Sequence, residues 1–173
     1  MTHVYISTKL ADLIGPARLS QVDNAIISKS LTDWNAQLFS VDRRKCILVT
    51  NKQTLYSFVR LNILKHDLKD LNNFFITSLF RQLKADNLYD QKAEDYWLDE
   101  FSKISFARTD NDKKVIGTMN DIIFQIKVAI GYRVPGFESP NDTSTGTYVN
   151  NLIMGLIGYD SPLNKILETK KNA

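Results

Sequence analysis

The densest chemical feature of the chain is Asp42-Arg43-Arg44-Lys45, followed at the next polar interruption by Asn51 and Lys52. A guanidinium offers five N–H donors in a planar fork that matches phosphate or carboxylate. Three consecutive cations therefore read as a contact for an acidic group, unless Asp42 pairs with an arginine and the run only orders a turn. Consecutive strand residues point to opposite faces, so Arg43 and Arg44 are expected to diverge. A second cluster, Arg108, Lys113 and Lys114, surrounds the start of a predicted helix. Free N–H groups there attract anions, and two lysines in a first turn oppose the helix dipole, a conflict that a bound anion would relieve. Asp110 and Asp112 would offset part of that charge. Asn120-Asp121 interrupts the same apolar helix, and a buried aspartate requires a partner, which Arg43, Arg44 or Arg108 could supply.

Other chemistries are poorly provided for. His3, His66 and Cys46 are the only imidazoles and thiol, too few for a zinc site of four Cys or His ligands. No Gly-rich phosphate loop, HExxH or nucleophile elbow is present. Cys46 lies in an apolar run and reads as an inert core thiol. No catalytic residue, metal ligand or cofactor is assigned. The aromatics Trp34, Tyr56, Phe58, Phe74, Phe75 and Trp97 follow strand and helix periods and read as core.

These residues must be positioned by an α+β fold. A strand is expected over 3–7 and a helical turn or two over 9–14, closed by Gly15-Pro16. Residues 17–32 read mostly as loop. Residues 34–41 alternate, with Trp34, Ala36, Leu38 and Ser40 on one side and Asn35, Gln37, Phe39 and Val41 on the other. Residues 46–50 are a nearly continuous apolar run, and residues 54–59 a third strand; short polar turns make an antiparallel meander. Leu68, Leu71, Phe75, Leu79 and Leu83 predict a helix of about five turns. A second helix is expected over 91–101 with Trp97, Leu98 and Phe101 inward, then a strand over 104–108. Val115, Met119, Ile122, Ile126 and Ile130 predict a helix ended by Gly131, with Thr109 and Asp112 at capping-box spacing. Residues 133–146 read as loop, 148–157 as a short helix closed by Gly158, and Ser161-Pro162 as the start of a last turn. The expected whole is one domain over 1–168, a meander with an added N-terminal strand against about four helices, and a frayed tail over 169–173.

The 173 residues suit one domain, and 43% hydrophobic with 24% charged content is ordinary for a globular protein. The net charge of +3 is uneven. Residues 1–65 hold nine Lys/Arg against four Asp/Glu, residues 66–110 six against nine, and residues 111–173 seven against six. The basic first third peaks at Arg43, Arg44 and Lys45. No apolar stretch is long enough for a membrane helix, and the N-terminus lacks a signal-peptide pattern, so a cytoplasmic location without a membrane partner is expected.

Beyond these patterns, Trp34-Asn35 through Asp42-Arg43-Arg44-Lys45-Cys46, then Thr50-Asn51, Thr54-Leu55 and Val115-Ile116-Gly117-Thr118-Met119-Asn120-Asp121, resemble a family of uncharacterised bacterial proteins, a domain of unknown function of about this length. Asn151, Met154, Gly158-Tyr159 and Pro162 extend the resemblance, which runs from the first strand to about Leu167. Lys113-Lys114, after Asp112, depart from the family pattern, where an Arg-Ser pair is expected. The resemblance implies a bacterial or mobile-element origin and an intracellular single domain, and no established activity.

The leading expectation is therefore a non-catalytic binding protein whose basic hairpin meets an acidic partner, either nucleic acid or protein. The binding set is Asp42, Arg43, Arg44, Lys45, Asn51, Arg108, Lys113, Asn120 and Asp121. An enzyme acting on a phosphorylated substrate, with or without a metal, is the alternative, with Arg43, Arg44 and Arg108 on the phosphate and Asp42 or Asp121 as base or metal ligand. It requires those side chains to converge in one pocket. A structural or oligomerising protein is the third reading.

Overall fold

The computed structural model describes residues 1–20, 31–89, 97–99, 101–135 and 137–171. Five strands form one sheet: β1 (Thr2–Ile6), β2 (Asp33–Val41), β3 (Arg44–Asn51), β4 (Ser57–Arg60) and β5 (Ile104–Arg108). Their order is β4-β3-β2-β1-β5. The meander β2-β3-β4 is antiparallel, as its short polar turns require, and β1 runs parallel to both β2 and β5. The helices are α1 (Thr8–Ile14), α2 (Leu71–Ala85), α3 (Lys113–Gly131), α4 (Asp142–Asn150) and α5 (Pro162–Lys171), with 3-10 turns at Pro16–Arg18, Lys65–Leu68 and Gly155–Ile157. The fold is α+β.

Each face of the sheet carries its own core. Trp34 and Ala36 of β2, with Val4, Ile6, Ile47, Val49 and Phe58, pack on α1 and α2 through Leu10, Phe75, Leu79 and Leu83. Trp34 meets Phe75 edge-on at 5.4 Å. Phe39, Cys46, Leu48 and Val59 face the other way and take the apolar stripe of α3, Val115, Met119, Ile122 and Ile126. Period-two alternation thus sends neighbouring residues into different cores. Cys46 is 1% exposed, and burial pushes its thiol above the ordinary value.

Several boundaries differ from the sequence reading. Leu68 ends a 3-10 turn, and α2 starts only at Leu71, where the Asp70 carboxylate accepts the Asn73 N–H at 2.9 Å. Thr109 and Asp112 do not form a capping box. Asp112 is itself the N-cap of α3, accepting from the Lys114 and Val115 N–H groups, while Thr109 Oγ1 accepts from Asn111. Residues 142–146 are helical rather than loop, because Asn141 and Ser144 cap one another reciprocally. Gly146 serves close packing there: a Cβ would lie 2.0 Å from Gln82 Oε1. Gly158, at φ 80°, closes the 3-10 turn Gly155–Ile157 rather than a helix. Pro162 opens a helix that continues to Lys171, with Ser161 Oγ accepting from the Asn164 N–H. Leu98 is exposed, whereas Trp97 and Phe101 are buried as expected. The loop expected over 21–30 and the helical residues expected over 91–96 lie outside the described residues. No helix of the described residues is long and apolar enough to cross a membrane.

Candidate functional site: a basic groove at the hairpin end

Strands β2 and β3 meet through the two-residue turn Asp42-Arg43, with φ of 46° and 65° and Val41 paired to Arg44. Two successive positive φ values define the type I′ turn, whose twist matches that of the strands it joins. Asparagine followed by glycine usually supplies this geometry. Arg43 accepts the left-handed conformation at a cost of about 1 kcal/mol, which places a cation at the tip.

Beyond this turn, Arg43, Arg44 and Lys45 are exposed and line one hollow of about 610 Å³ with Leu13 of α1 and Asn62, Ile63, Leu64 and Lys65. The expected divergence of Arg43 and Arg44 does not hold, because Arg43 belongs to the turn, where strand alternation does not apply. Lys45 is tied to the opposite wall through its backbone, whose carbonyl accepts the Ile63 N–H at 2.7 Å. A second hollow of about 530 Å³ shares Leu13, Leu64 and Lys65 and continues the groove past Arg18, His66 and Lys69. Arg18 donates to the Leu68 and Lys69 carbonyls, both at 2.7 Å, which ties the 3-10 turn Lys65–Leu68 to the 3-10 turn Pro16–Arg18 that follows α1. No carboxylate lines either hollow. Among the described residues, Arg43, Arg44, Lys45, Lys65 and Lys69 enter no ion pair, whereas Lys52, Arg60, Arg81 and Lys165 each do.

Other residues proposed from sequence are placed elsewhere. Asn51 is fully buried, and its side chain is consumed by the backbone around it. Nδ2 donates to the Leu31 and Asp33 carbonyls, and Oδ1 accepts from the Gln53 and Thr54 N–H groups and from Thr54 Oγ1. It holds the β3–β4 turn and presents nothing to a ligand. Lys52 bonds Asp110, approaches Asp112 at 3.5 Å and lies over the Tyr5 ring at 5.0 Å. Lys113 and Lys114 extend into solvent, and Asp112 already occupies the N–H groups that would have drawn an anion. Asn120 accepts from Gln37 Nε2 at 2.8 Å, and Asp121 is exposed.

These side chains do not converge on the hairpin. Ile6 pairs with both Ala36 and Arg108, and the tip lies six residues beyond Ala36, about 20 Å of strand. The hollow on the other side of Asp42 is lined by Val41, Arg44, Cys46, Leu61, Asn62, Ile130 and Pro140, without Arg108, Asn120 or Asp121. The geometry required of the phosphate-processing enzyme is therefore not met. The groove also contains residues that sequence reasoning missed, Arg18, Leu64, Lys65 and Lys69. Their only signal was membership of the basic first third or, for Lys69, its edge. Among the described residues no group of three His, Cys, Asp or Glu is placed to hold a metal ion.

A family model described as a domain of unknown function (DUF6933) matches residues 3–165, and no curated protein matches the chain.

Proposed function

We propose that the chain, which belongs to this family of domains of unknown function, is a non-catalytic binding protein whose basic groove contacts the phosphate backbone of a nucleic acid. The observation that carries the reading is the concentration of unpaired cations along one groove free of lining carboxylates. Cations left unpaired at a surface raise the local concentration of polyanions and release counterions on binding. The lining holds no Phe, Tyr or Trp on which a base could stack. Contact is thus to phosphates, with little sequence preference. The strained Arg43 fits the same reading, since a glycine there would be easier to fold. Burial of the lone thiol is compatible with a reducing cytoplasm.

Anisotropy titration of a labelled oligonucleotide at low salt tests the proposal. Wild type binds, and Arg44→Glu combined with Lys65→Glu loses at least tenfold in affinity while melting normally. Absence of binding at low salt contradicts the proposal. Binding of polyglutamate in place of the oligonucleotide reassigns the partner to an acidic protein segment.

A further inference from the structure

The groove has an apolar floor as well as a basic rim. Leu64 is extended (φ −106°, ψ 157°), which turns its side chain away from that of Ile63. Ile63 enters the core, and Leu64 stays 59% exposed. Both hollows are lined by Leu64, with Leu13 in each. The backbone there is held on two sides. The Ile63 N–H donates to the Lys45 carbonyl at 2.7 Å, and the Leu64 N–H to Asp67 Oδ2 at 2.8 Å. Asp67 lines neither hollow. A single exposed leucine is ordinary on a protein surface. This one is fixed where the two hollows share their lining, with Arg43, Arg44 and Lys45 along the first and Arg18 and Lys69 along the second.

A ligand that matches both features is anionic at short intervals and carries apolar faces between its charges. In a single strand each nucleotide supplies one phosphate and one base whose face is free. A duplex keeps its base faces stacked on one another and offers phosphates, sugars and base edges. Its charge density is higher, so cations alone would favour the duplex. The apolar floor therefore decides between the two. An acidic amphipathic helix would need a line of apolar anchors at i, i+3, i+4 and i+7. The groove offers Leu64 and part of Leu13, while Ile14, Ile63 and Leu68 are buried.

We propose, building on the nucleic-acid reading above, that the groove selects single strands over duplexes, with base faces laid on Leu64 and Leu13 while the rim cations hold the phosphates. Hollows of about 610 and 530 Å³ fall within the roughly 300–1,000 Å³ of pockets that take small molecules, so each has room for a base. Aliphatic side chains supply no stacking platform. They add affinity without reading sequence, since every base has a face to lay down. The two contributions respond differently to salt: ions screen the phosphate contacts and leave the contact with the apolar floor.

The test uses the full chain and labelled probes of one length at low salt: oligothymidylate, its duplex with oligoadenylate, and an abasic deoxyribose-phosphate strand. Oligothymidylate is expected to bind tightest, ahead of the duplex and about fivefold ahead of the abasic strand. Leu64→Ser is expected to bring oligothymidylate down to the abasic level, with abasic binding, the salt slope and the melting temperature unchanged. Tighter or equal binding of the duplex, equal binding of the abasic strand, or a Leu64→Ser variant with wild-type affinity overturns strand selection and leaves the phosphate-binding groove standing. The comparison of probes needs no variant, so it decides the matter even if Leu64→Ser folds poorly. Absence of binding by every probe overturns both strand selection and the nucleic-acid reading. Displacement of oligothymidylate by an acidic, leucine-bearing peptide at lower concentration than by the unlabelled strand overturns both in favour of a protein partner.

Discussion

Two sets of cations divide the molecule. At the sheet's second face Lys52 is nearly buried, bonded to Asp110, close to Asp112 and laid over Tyr5. At the hairpin end Arg43, Arg44, Lys45, Lys65 and Lys69 are exposed, and none pairs with a carboxylate among the described residues. The chain has the carboxylates to neutralise its cations and does so at Lys52, Arg60, Arg81 and Lys165. Lys52 locks the β5–α3 connection to the meander and so belongs to the structure. The groove cations contribute little to folding, because exposed charges are screened and flexible, and they stay free for an external anion.

The sharpest division between the two sets is expected from removing one cation of each. Lys52→Met leaves Asp110 and Asp112 facing one another near Asp33, and should cost about 3 kcal/mol in urea unfolding. A loss below about 1 kcal/mol would erase the distinction between the sets. Burial pushes the Lys52 ammonium down, but the Asp110 hydrogen bond and charge, helped by Asp112, carry it above its ordinary value. A cation raised in this way stabilises fully below its unfolded pKa, and the contribution disappears as pH rises through the folded value.

The neighbouring Asp33 should show the reverse. Its carboxyl is also raised, chiefly by burial, so its charged form opposes folding near neutrality. Asp33→Asn is expected to add about 1–2 kcal/mol at pH 7. Protonation of wild-type Asp33 should close that gap as pH falls toward the ordinary carboxylate value of about 3.9. A gap that widens on acidification would contradict the assignment. Arg43→Gly should relieve the left-handed turn, adding about 1 kcal/mol, or roughly 2–4 °C in Tm, while weakening oligonucleotide binding. Lys45→Met should change stability by no more than about 0.5 kcal/mol and still reduce binding. Equal losses of stability and binding would place Lys45 with the structural set.

Much of this organisation is legible in the linear chain. The strand 104–108 and the meander follow from short-range alternation, and Cys46 from a run buried on both sides. The hairpin tip was readable as a cluster of cations. Its partners in the groove were not, because Arg18 ends one 3-10 turn and Lys65 and Lys69 flank another, about fifty residues away, and only tertiary contacts bring the two together. Asn51 looked like a ligand residue because an exposed turn asparagine and a buried one that satisfies five backbone and hydroxyl groups are identical in sequence. Helix α4 was hidden because glycine, serine and threonine are weak helix formers, and here Gly146 is required by the approach of Gln82. In the alternating run Asn35 and Gln37 share a side with Phe39 and Val41, a pattern that does not say whether that side is covered. Only the fold shows Asn35 buried and both side chains holding buried unpaired atoms.

The groove is tested most directly by the salt dependence of single-strand binding. Each phosphate contact contributes about 0.7 to the slope of log K against log salt concentration. With four to five groove cations engaged, the slope for wild type should be about −3. Arg44→Gln combined with Lys65→Gln should bring it to about −1.5 with unchanged unfolding free energy. A wild-type slope near zero, or a slope that the double substitution leaves untouched, would contradict the groove as the binding surface.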